Sequence, residues 1–372
     1  MSVDWGAIRE EFPSLSRWTY LNTATFGQIP TRATKATEGH FERRDEFACN
    51  DFLSWFDDAD AIRAQVAQLI QATPADIAFV MNASTALSLL LGGIDWKPGD
   101  RIVTLENEFP NQFYYPSLLA PRGVEFMETC WDRFYDSITP GTRLVVMSTV
   151  SYMTGFRAPL EEIGRFLRER GVMLFLDGTQ SVGALQFDVR AVQPDMFAVH
   201  AYKWLLSPNG AGFMYVSPGL RERLDPNVVG WRSHRGWRNH DRLHHGRPEF
   251  KTEAEKYEGG MLNFAALYAM GASVGMVLEL GPEVVEARVN ALAAQVREVL
   301  RRAGARLLFD ELPHYDSPIV AASFDGDTEE MTRRLKAERV LVASRHGRLR
   351  VSPHFYNNEA DIERFASVLP AV

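Results

Sequence analysis

The first two-thirds of the chain alternates short apolar runs with longer stretches in which apolar residues recur about every 3.6 positions. The short runs predict strands and the longer stretches predict helices. Strands are predicted at 77–81, 101–105, 124–128, 143–148, 172–177, 196–200 and 212–216. Helices are predicted at 32–47, 54–71, 84–93, 111–120 and 159–170. Strands that alternate with helices are typical of an α/β fold with a mostly parallel sheet covered on both faces.

The pattern changes between residues 219 and 260. The stretch 230–250 contains four histidines, five arginines and two tryptophans without a clear period, which predicts a long loop. We expect it to cover an active site, with Trp231, Arg232 or Arg235 as substrate contacts, because loops of this length are usually functional or disordered. A solvated, mobile insertion is the alternative. The histidine spacings do not repeat a ligand pattern, so we expect no metal site.

Helical periodicity returns at 264–280 and 282–303, and the short break between them predicts one bent helix that leads into a second domain. The rest of the chain has the pattern of βαβ-like units. Strands are predicted at 318–324, 339–343 and 348–352, and helices at 328–337 and 358–369.

Composition narrows the class of protein. The 40 basic and 48 acidic residues give a net charge of −8, which argues against a dedicated binder of nucleic acid or anionic membranes. The two cysteines, Cys49 and Cys130, cannot form a disulfide framework. The first residues lack a basic start followed by an apolar run, and no apolar stretch is long enough to span a bilayer, so we expect a cytoplasmic protein.

Two neighbouring predicted strands carry the candidate chemistry. Five apolar residues lead to Asp177 at the carboxyl end of one strand, where open α/β sheets bind ligands. Lys203 follows 26 residues later in apolar sequence, in a chain with six lysines and 34 arginines. An exposed turn aspartate and a lysine that reaches water are the ordinary alternatives. Together, however, the pair supplies what pyridoxal phosphate requires, an amine for its aldehyde and an acid for its ring nitrogen.

A phosphate site is predicted where the strand 77–81 leads through a polar turn into the helix 84–93. Ser84 and Thr85 offer hydroxyl groups there, and the helix N-terminus offers backbone N–H groups. Both residues are also ordinary helix caps. The glycine-rich motifs of dinucleotide and nucleotide sites are absent from the sequence.

Taken in this order, the motifs resemble those of the class V aminotransferase family of pyridoxal-phosphate enzymes. That family includes cysteine desulfurases, isopenicillin N epimerase-like proteins and kynureninases. The resemblance covers about residues 15–370. The motifs that carry it are Tyr20-Leu21-Asn22-Thr23-Ala24, the turn 82–85, Asp177-Gly178-Thr179-Gln180, Tyr202-Lys203-Trp204 and Arg350-Val351-Ser352.

The resemblance implies the pyridoxal-phosphate transferase fold of the aspartate aminotransferase type. A large domain with a mostly parallel seven-stranded sheet is then expected at 20–265 and a smaller α+β domain at 266–372. The segment 1–19 is expected to pack against the smaller domain. The resemblance also implies a homodimer with its active site at the interface.

The family pattern implies a role for each matching residue. Lys203 matches the catalytic lysine that forms a Schiff base with the cofactor, and Asp177 matches the acid at the pyridinium nitrogen. Gln180 matches the partner of the phenolic oxygen, and Phe109 falls where an aromatic ring stacks on the pyridine face. The remaining matches are the phosphate-binding residues Ser84, Thr85, His200 and Tyr202 and the substrate-binding residues Arg350, for an α-carboxylate, and Asn22.

Three positions depart from the family pattern. Tyr152 stands where many members have an asparagine that touches the ring, and Met261 stands where a threonine often reaches the other subunit's phosphate. The segment 343–348 holds no cysteine, which excludes persulfide chemistry of the desulfurase type.

The resemblance leaves three reactions open, which are transamination, epimerisation and β-elimination. Within the family, the sequence is most similar to the epimerase-like or C–S lyase-like branch. The expected substrate is an amino acid or derivative with a free α-carboxylate. The alternative is a non-catalytic pyridoxal-phosphate-binding protein with a structural or regulatory role.

Overall fold

The computed structural model describes residues 3–369, so Met1, Ser2 and residues 370–372 of the expected terminal segments lie outside it. The strands are β1 (Thr19–Tyr20), β2 (Ile77–Val80), β3 (Arg101–Leu105), β4 (Glu125–Thr129), β5 (Thr142–Ser148), β6 (Met173–Asp177), β7 (Met196–His200), β8 (Gly212–Val216), β9 (Arg306–Leu307), β10 (Val320–Ser323), β11 (Val340–Leu341), β12 (Ala343–Arg345) and β13 (Arg348–Val351). The α-helices are α1 (Trp5–Glu10), α2 (Thr31–Phe47), α3 (Ser54–Leu69), α4 (Ala83–Gly93), α5 (Asn111–Ser117), α6 (Phe134–Ser137), α7 (Leu160–Arg168), α8 (Val189–Val192), α9 (Pro218–Arg223), α10 (Phe264–Leu280), α11 (Pro282–Arg302), α12 (Leu308–Glu311), α13 (Thr328–Ala337) and α14 (Glu359–Val368).

The largest sheet has seven strands in the order β2-β8-β7-β6-β5-β3-β4. Only β8 runs antiparallel to its neighbours within this sheet, and the other pairs are parallel. The predicted mostly parallel, seven-stranded α/β sheet is therefore confirmed. Each strand lies within one residue of its predicted bounds because both faces of the sheet are buried, so its strands read as continuous apolar runs.

Two hydrophobic clusters cover the two faces of this sheet. Val145 and Met147 of β5 face the cluster that includes α3, α7 and α10, whereas Leu144 and Val146 face the cluster that includes α4. This alternation follows from the two-residue period of a strand. Because apolar side chains cover both faces of the sheet, polar side chains meet at the ends of the strands. Asp177 and Lys203 lie there.

A second sheet contains the antiparallel strands β12-β13-β10-β9. Its core is a third cluster, with side chains from α11, α13 and α14. Because β13 lies between β10 and β12 and is antiparallel to both, β10, α13 and β12 form a split βαβ unit. A two-residue turn, His346 and Gly347, joins β12 to β13 with positive φ angles of 49° and 74°, as hairpin turns of this length require.

The chain bends by 86° between α10 and α11, at Gly281. Side chains of α10 pack in the same cluster as α3 and the large sheet, and the third cluster begins within α11. The division at residue 265 stays a prediction, and this packing supports a proposed division after α10 instead. Within residues 3–369 no single helix has the length and apolar character needed to cross a membrane, although α10 and α11 would meet both criteria if counted together.

The N-terminal segment lies against the smaller sheet and its helices. Arg9 donates two hydrogen bonds, of 2.7 and 3.0 Å, to the carboxylate of Asp361. The rings of Trp5 and Phe355 are 6.2 Å apart, and β1 pairs in parallel with β11. These contacts support the proposed packing of this segment against the smaller domain.

Candidate active site

A cavity of about 250 Å³ opens at the carboxyl ends of β5, β6 and β7 and at the N-terminus of α4. This is the edge at which parallel α/β sheets bind ligands. Seven of the predicted site residues line it: Ser84, Phe109, Asp177, Gln180, His200, Tyr202 and Lys203. The cavity lining does not include Thr85, Asn22 or Arg350.

Lys203 lies in the turn that follows β7 and is 7% exposed. Burial lowers the pKa of its ammonium group to about 8, against the opposing effect of the Asp177 charge. Its Nζ lies 5.6 Å from the centre of the Phe109 ring, and it makes no hydrogen bond or ion pair within residues 3–369. A buried amine with a depressed pKa is able to exchange protons near neutral pH.

The segment before α2 crosses the Lys203 turn at very close range. The Gly27 N–H donates to the Tyr202 carbonyl oxygen at 2.9 Å. A Cβ at Gly27 would lie 1.9 Å from the Lys203 carbonyl oxygen. Only glycine permits this approach, which fixes the position of the lysine backbone.

Asp177 is the last residue of β6, and its Oδ1 accepts the Thr179 N–H at 2.9 Å. Burial raises the pKa of this carboxyl group, and the bonds from Thr179 and the Lys203 charge oppose that rise. Asp177 is therefore a buried acid that lines the same cavity as the buried amine of Lys203.

Glu108 is a second buried acid beside this one, and the sequence analysis assigned it no role. It accepts hydrogen bonds from the N–H and Oγ of Ser148, at 2.7 and 2.6 Å. Burial raises the pKa of Glu108 to about 7, and the neighbouring Asp177 charge adds to the rise. The only sequence signal was its position directly before Phe109.

The N-terminus of α4 forms the other end of the cavity. Asn82 caps this helix, since its Oδ1 accepts both the N–H and the Oγ1–H of Thr85, at 2.9 and 3.1 Å. The Thr85 hydroxyl is thus used by the cap, and Thr85 lines a separate cavity. Ser84 remains directed at the first cavity.

His200 and Tyr202 lie next to each other in the wall of the cavity. Their ring centres are 4.2 Å apart. Burial and the Lys203 charge lower the pKa of His200 to about 4, so its imidazole is neutral at pH 7. The buried Nε2 of His200 has no hydrogen-bond partner among the described residues.

Gln180 is held from both ends of its amide. Its Nε2 donates to the Ala24 carbonyl oxygen at 3.0 Å, and its Oε1 accepts the Trp204 Nε1–H at 2.9 Å. These bonds fix the orientation of the amide. One N–H of the amide has no partner within residues 3–369, and the side chain borders the cavity.

Arg350 lies on β13 and is 1% exposed. It donates from Nη1 to the Tyr152 carbonyl oxygen and from Nη2 to Thr25 Oγ1, both at 2.6 Å. Thr25 in turn donates to Asn22 Oδ1 at 2.8 Å, which connects Asn22 to Arg350. Burial, together with the adjacent Arg345 charge, lowers the pKa of Arg350 to about 9.

Two positions that depart from the family pattern have different surroundings. The Tyr152 side chain borders the first cavity, and its ring centre is 5.3 Å from that of Phe109. Met261 is 56% exposed and lines the second cavity, of about 260 Å³, together with Met81 and Val228.

The expected cover loop at 230–250 is wrong for this cavity. Trp231, Arg232 and Arg235 do not line it. Arg232 is 1% exposed and forms ion pairs of 2.7 Å with Glu255 and Glu258.

The alternative of a wholly solvated insertion also fails for part of the segment. Trp237 is buried against Phe56 of α3, and Arg238 pairs with Asp57 and Asp60 of the same helix. Arg235 is exposed and pairs with Glu249. Residues 3–369 contain no group of three or more metal-ligating side chains suited to an ion.

Comparison with known proteins assigns the class. The family model for class V aminotransferases matches residues 54–365. A probable cysteine desulfurase of Methanothermobacter thermautotrophicus is 24% identical over 98% of this chain and 97% of its own length. The isopenicillin N epimerase of Streptomyces clavuligerus is 26% identical over 100% of this chain and 98% of its own. The structure of a C-DES variant with glycine covalently linked to its pyridoxal-phosphate cofactor superposes with a TM-score of 0.88, at 22% identity over 97% of this chain and 98% of that one.

The fold and the site thus define a pyridoxal-phosphate-dependent enzyme. The chain belongs to the class V aminotransferase family. The residues present fit the cofactor of that family. A helix N-terminus and a buried, unpartnered His200 Nε2 suit a phosphate, and Lys203 and Asp177 supply the amine and the acid.

Proposed function

We propose that this enzyme acts on an amino acid, or a derivative, with a free α-carboxylate and that Lys203 moves the substrate's Cα proton. One observation carries the proposal. Lys203 is a buried amine without a hydrogen-bond partner in the described chain, and the charges of the acid Asp177 and the cation Arg350 both influence its pKa.

When bound, pyridoxal phosphate supplies an aldehyde that condenses with amines and a ring that accepts electrons from the substrate Cα. Asp177 would hold a proton at the ring nitrogen, because its fixed bond from Thr179 leaves the second carboxylate oxygen for that contact. The backbone N–H groups at the start of α4, with Ser84 and His200, would bind the phosphate. Phe109 would contact the ring face.

Lys203 would hold the cofactor through its amine, and the same amine would act as the general base that moves the proton at the substrate Cα. Its low pKa makes this role effective, since a base works best when its pKa lies near the operating pH. The ring centres of Phe109 and Tyr202 lie 5.6 and 5.4 Å from Nζ, and the lysine is 7% exposed, so these rings contribute to the apolar surroundings that lower its pKa.

Arg350 would bind the substrate α-carboxylate with its remaining N–H groups. A guanidinium with no carboxylate partner in the described chain suits an anionic ligand, because charge-assisted pairs are the stronger hydrogen bonds. Its bonds to Tyr152 and Thr25 fix the plane of the guanidinium before substrate arrives.

The proton chemistry at Cα admits an epimerase, a β-lyase or an aminotransferase outcome. We favour the first two, from the sequence resemblance and from the likeness to isopenicillin N epimerase. The β12–β13 hairpin has a two-residue turn without cysteine, and Cys49 and Cys130 do not line the cavity. This geometry supports the proposal that the enzyme does not use a desulfurase-type persulfide.

We also propose a homodimer. Met81, Val228 and Met261 line the second cavity and expose between 50% and 61% of their surface, and Val229, next to Val228 in the sequence, is 52% exposed. Exposed apolar surface of this kind marks an interaction site. A second copy of the chain is its expected partner, on the family resemblance.

The test of the substrate proposal compares Arg350→Ala with Arg350→Lys and the native enzyme. Spectral titrations of the cofactor-loaded proteins with amino acids measure affinity. The alanine variant should bind them about 10- to 100-fold more weakly, since one charge-assisted contact contributes about 1.5–3 kcal/mol. The lysine variant should recover only part of that affinity, because lysine keeps the positive charge but lacks the planar guanidinium that binds both oxygens of a carboxylate.

Cofactor content serves as the control and should not change in either variant. An alanine variant that responds to amino acids as the native enzyme does would contradict the α-carboxylate contact. A native enzyme that prefers simple amines over amino acids would contradict it as well.

A further inference from the structure

We propose that Arg345 is a second anion-binding group of this site and that the substrate is a dicarboxylic amino acid or a derivative with two carboxylates. This inference rests on the proposed function and adds the chemical class of the substrate to it. It follows from the position of Arg345 at the end of β12, beside Arg350 of β13.

The two guanidinium groups converge on one hydroxyl group. Thr25 Oγ1 accepts from Arg350 Nη2 at 2.6 Å and from Arg345 Nη2 at 3.4 Å. It donates its own hydrogen to Asn22 Oδ1 at 2.8 Å. A hydroxyl group has one hydrogen and two lone pairs, so Thr25 is fully used. The two cations are thus held side by side.

Neither cation has a carboxylate partner within residues 3–369. Arg345 uses one N–H on the Ser344 carbonyl oxygen and one on Thr25. Arg350 uses one on Tyr152 and one on Thr25, and its buried Nε has no partner. Each guanidinium has five N–H donors, so three remain on each.

The pair is electrostatically unfavourable without an anion. The Arg345 charge helps to lower the pKa of Arg350, and both charges help to lower the pKa of Lys203. Among residues 3–369, Asp177 is the one carboxylate that lines the cavity, and the cofactor ring would use it. Buried like charges are costly unless they are paired. Two anionic groups on one ligand would neutralise both arginines.

The two arginines differ in burial, and this difference indicates which carboxylate of the substrate each arginine binds. Arg350 is almost fully buried, whereas Arg345 is half-buried and directly precedes the exposed turn of His346 and Gly347. The α-carboxylate must lie near the buried reacting centre. The second carboxylate, at the end of the substrate side chain, would therefore reach Arg345 nearer the surface.

The test compares dicarboxylates with their neutral amides in spectral titrations of the cofactor-loaded enzyme. The ligand pairs are aspartate with asparagine and glutamate with glutamine, and 2-aminoadipate extends the length series. The proteins are the native enzyme, Arg345→Ala, Arg345→Gln and the control Arg333→Ala, which removes an exposed arginine of α13 paired only with Glu330. Circular dichroism and cofactor content check that each variant is folded.

At least one dicarboxylate should bind the native enzyme and Arg333→Ala about 10-fold or more tightly than a neutral ligand of similar length. Both Arg345 variants should lose this preference and keep their affinity for alanine. Equal loss for alanine and for dicarboxylates would place Arg345 on the α-carboxylate and overturn the inference. No preference for any dicarboxylate in the native enzyme would also overturn it. No spectral response to any amine would instead contradict the proposed function itself.

Discussion

At the residue scale, Lys203 and Asp177 lie where strands of the large sheet end, since Lys203 follows β7 and Asp177 is the last residue of β6. Glu108, a third buried titratable residue, lies outside any strand. Its partner Ser148 is 40 residues away, so its burial depends on a contact that only the folded chain creates.

Glu108 makes the stability of the cofactor-free protein depend on pH. Its folded-state pKa of about 7 lies above the unfolded value of about 4.3. The unfolded chain therefore releases this proton first as pH rises, and the native protein loses stability between about pH 4.5 and pH 7. Glu108→Gln has no proton to lose at this position.

The Glu108→Gln variant should therefore gain stability relative to the native protein between pH 5 and pH 8, by up to about 3 kcal/mol. Denaturant unfolding of both cofactor-free proteins at several pH values measures this difference. Buried acids that lie away from Glu108 contribute equally to both proteins. A difference in free energy of unfolding that stays constant over this range would contradict the shifted pKa.

The substrate end of the site shows which residues the sequence could and could not predict. Arg350 was predicted from the family pattern, but Thr25 and Arg345 were not. The bond between Thr25 and Arg350 joins residues 325 positions apart. Tyr20-Leu21-Asn22-Thr23-Ala24 ends one residue before Thr25, so the motif pointed to the correct segment without the side chain that contacts the arginine.

At the scale of elements, the N-terminal segment crosses the Lys203 turn so closely that position 27 has no room for a side chain. Gly27→Ala would bring a methyl group into the Lys203 carbonyl oxygen and Leu206. Overpacking of this kind costs about 1–3 kcal/mol or more. We expect lower thermal stability and weaker cofactor binding, measured by unfolding and by cofactor titration.

Gly39→Ala is the matched control, because Gly39 lies in α2 and the added methyl group would meet no described atom within 4 Å apart from its chain neighbours and the adjacent backbone of the helix. This variant should be neutral or more stable, since alanine favours a helix over glycine by about 1 kcal/mol. Gly27→Ala with native stability and cofactor affinity would show that the crossing does not position Lys203.

The segment 230–250 is the irregular loop that its sequence predicts, but within one chain it does not line the cavity that it was expected to cover. Its sequence has no period, which correctly indicated irregular structure, but periodicity says nothing about where a loop packs. Arg232 is buried with Glu258, which also pairs with Arg63 of α3. These contacts between distant segments attach the loop to the outside of α3.

At the scale of the whole molecule, the sheet was predictable because its strands are continuous apolar runs. The boundary between domains, which stays a prediction, is less well defined by the sequence, because α10 is apolar on most sides and fits either domain by pattern alone. Ten of its residues are buried, and it packs against both α2 and α3. The three-dimensional packing of a buried helix, which a sequence period does not contain, determines the domain that it joins.

The proposed homodimer gives a prediction at this scale. Met261→Glu puts a charge in the exposed apolar patch beside the second cavity and should weaken association by at least 10-fold, since burying an unpaired charge is costly. Sedimentation over a concentration series measures this change. Leu312→Glu, at a residue 49% exposed in the smaller unit, is the control. A native protein that is monomeric, cofactor-loaded and active would contradict the dimer.

The central claim is that Lys203 binds the cofactor, and peptide mapping after borohydride reduction tests it most directly. The chain offers six lysines, at positions 35, 97, 203, 251, 256 and 336, so the labelled peptide identifies the residue without ambiguity. The account predicts a yellow protein whose absorbance band is lost on reduction, with the cofactor attached to the peptide that contains Lys203 and no attachment in Lys203→Ala. Attachment at any other lysine, or a reducible adduct that persists in Lys203→Ala, would contradict it.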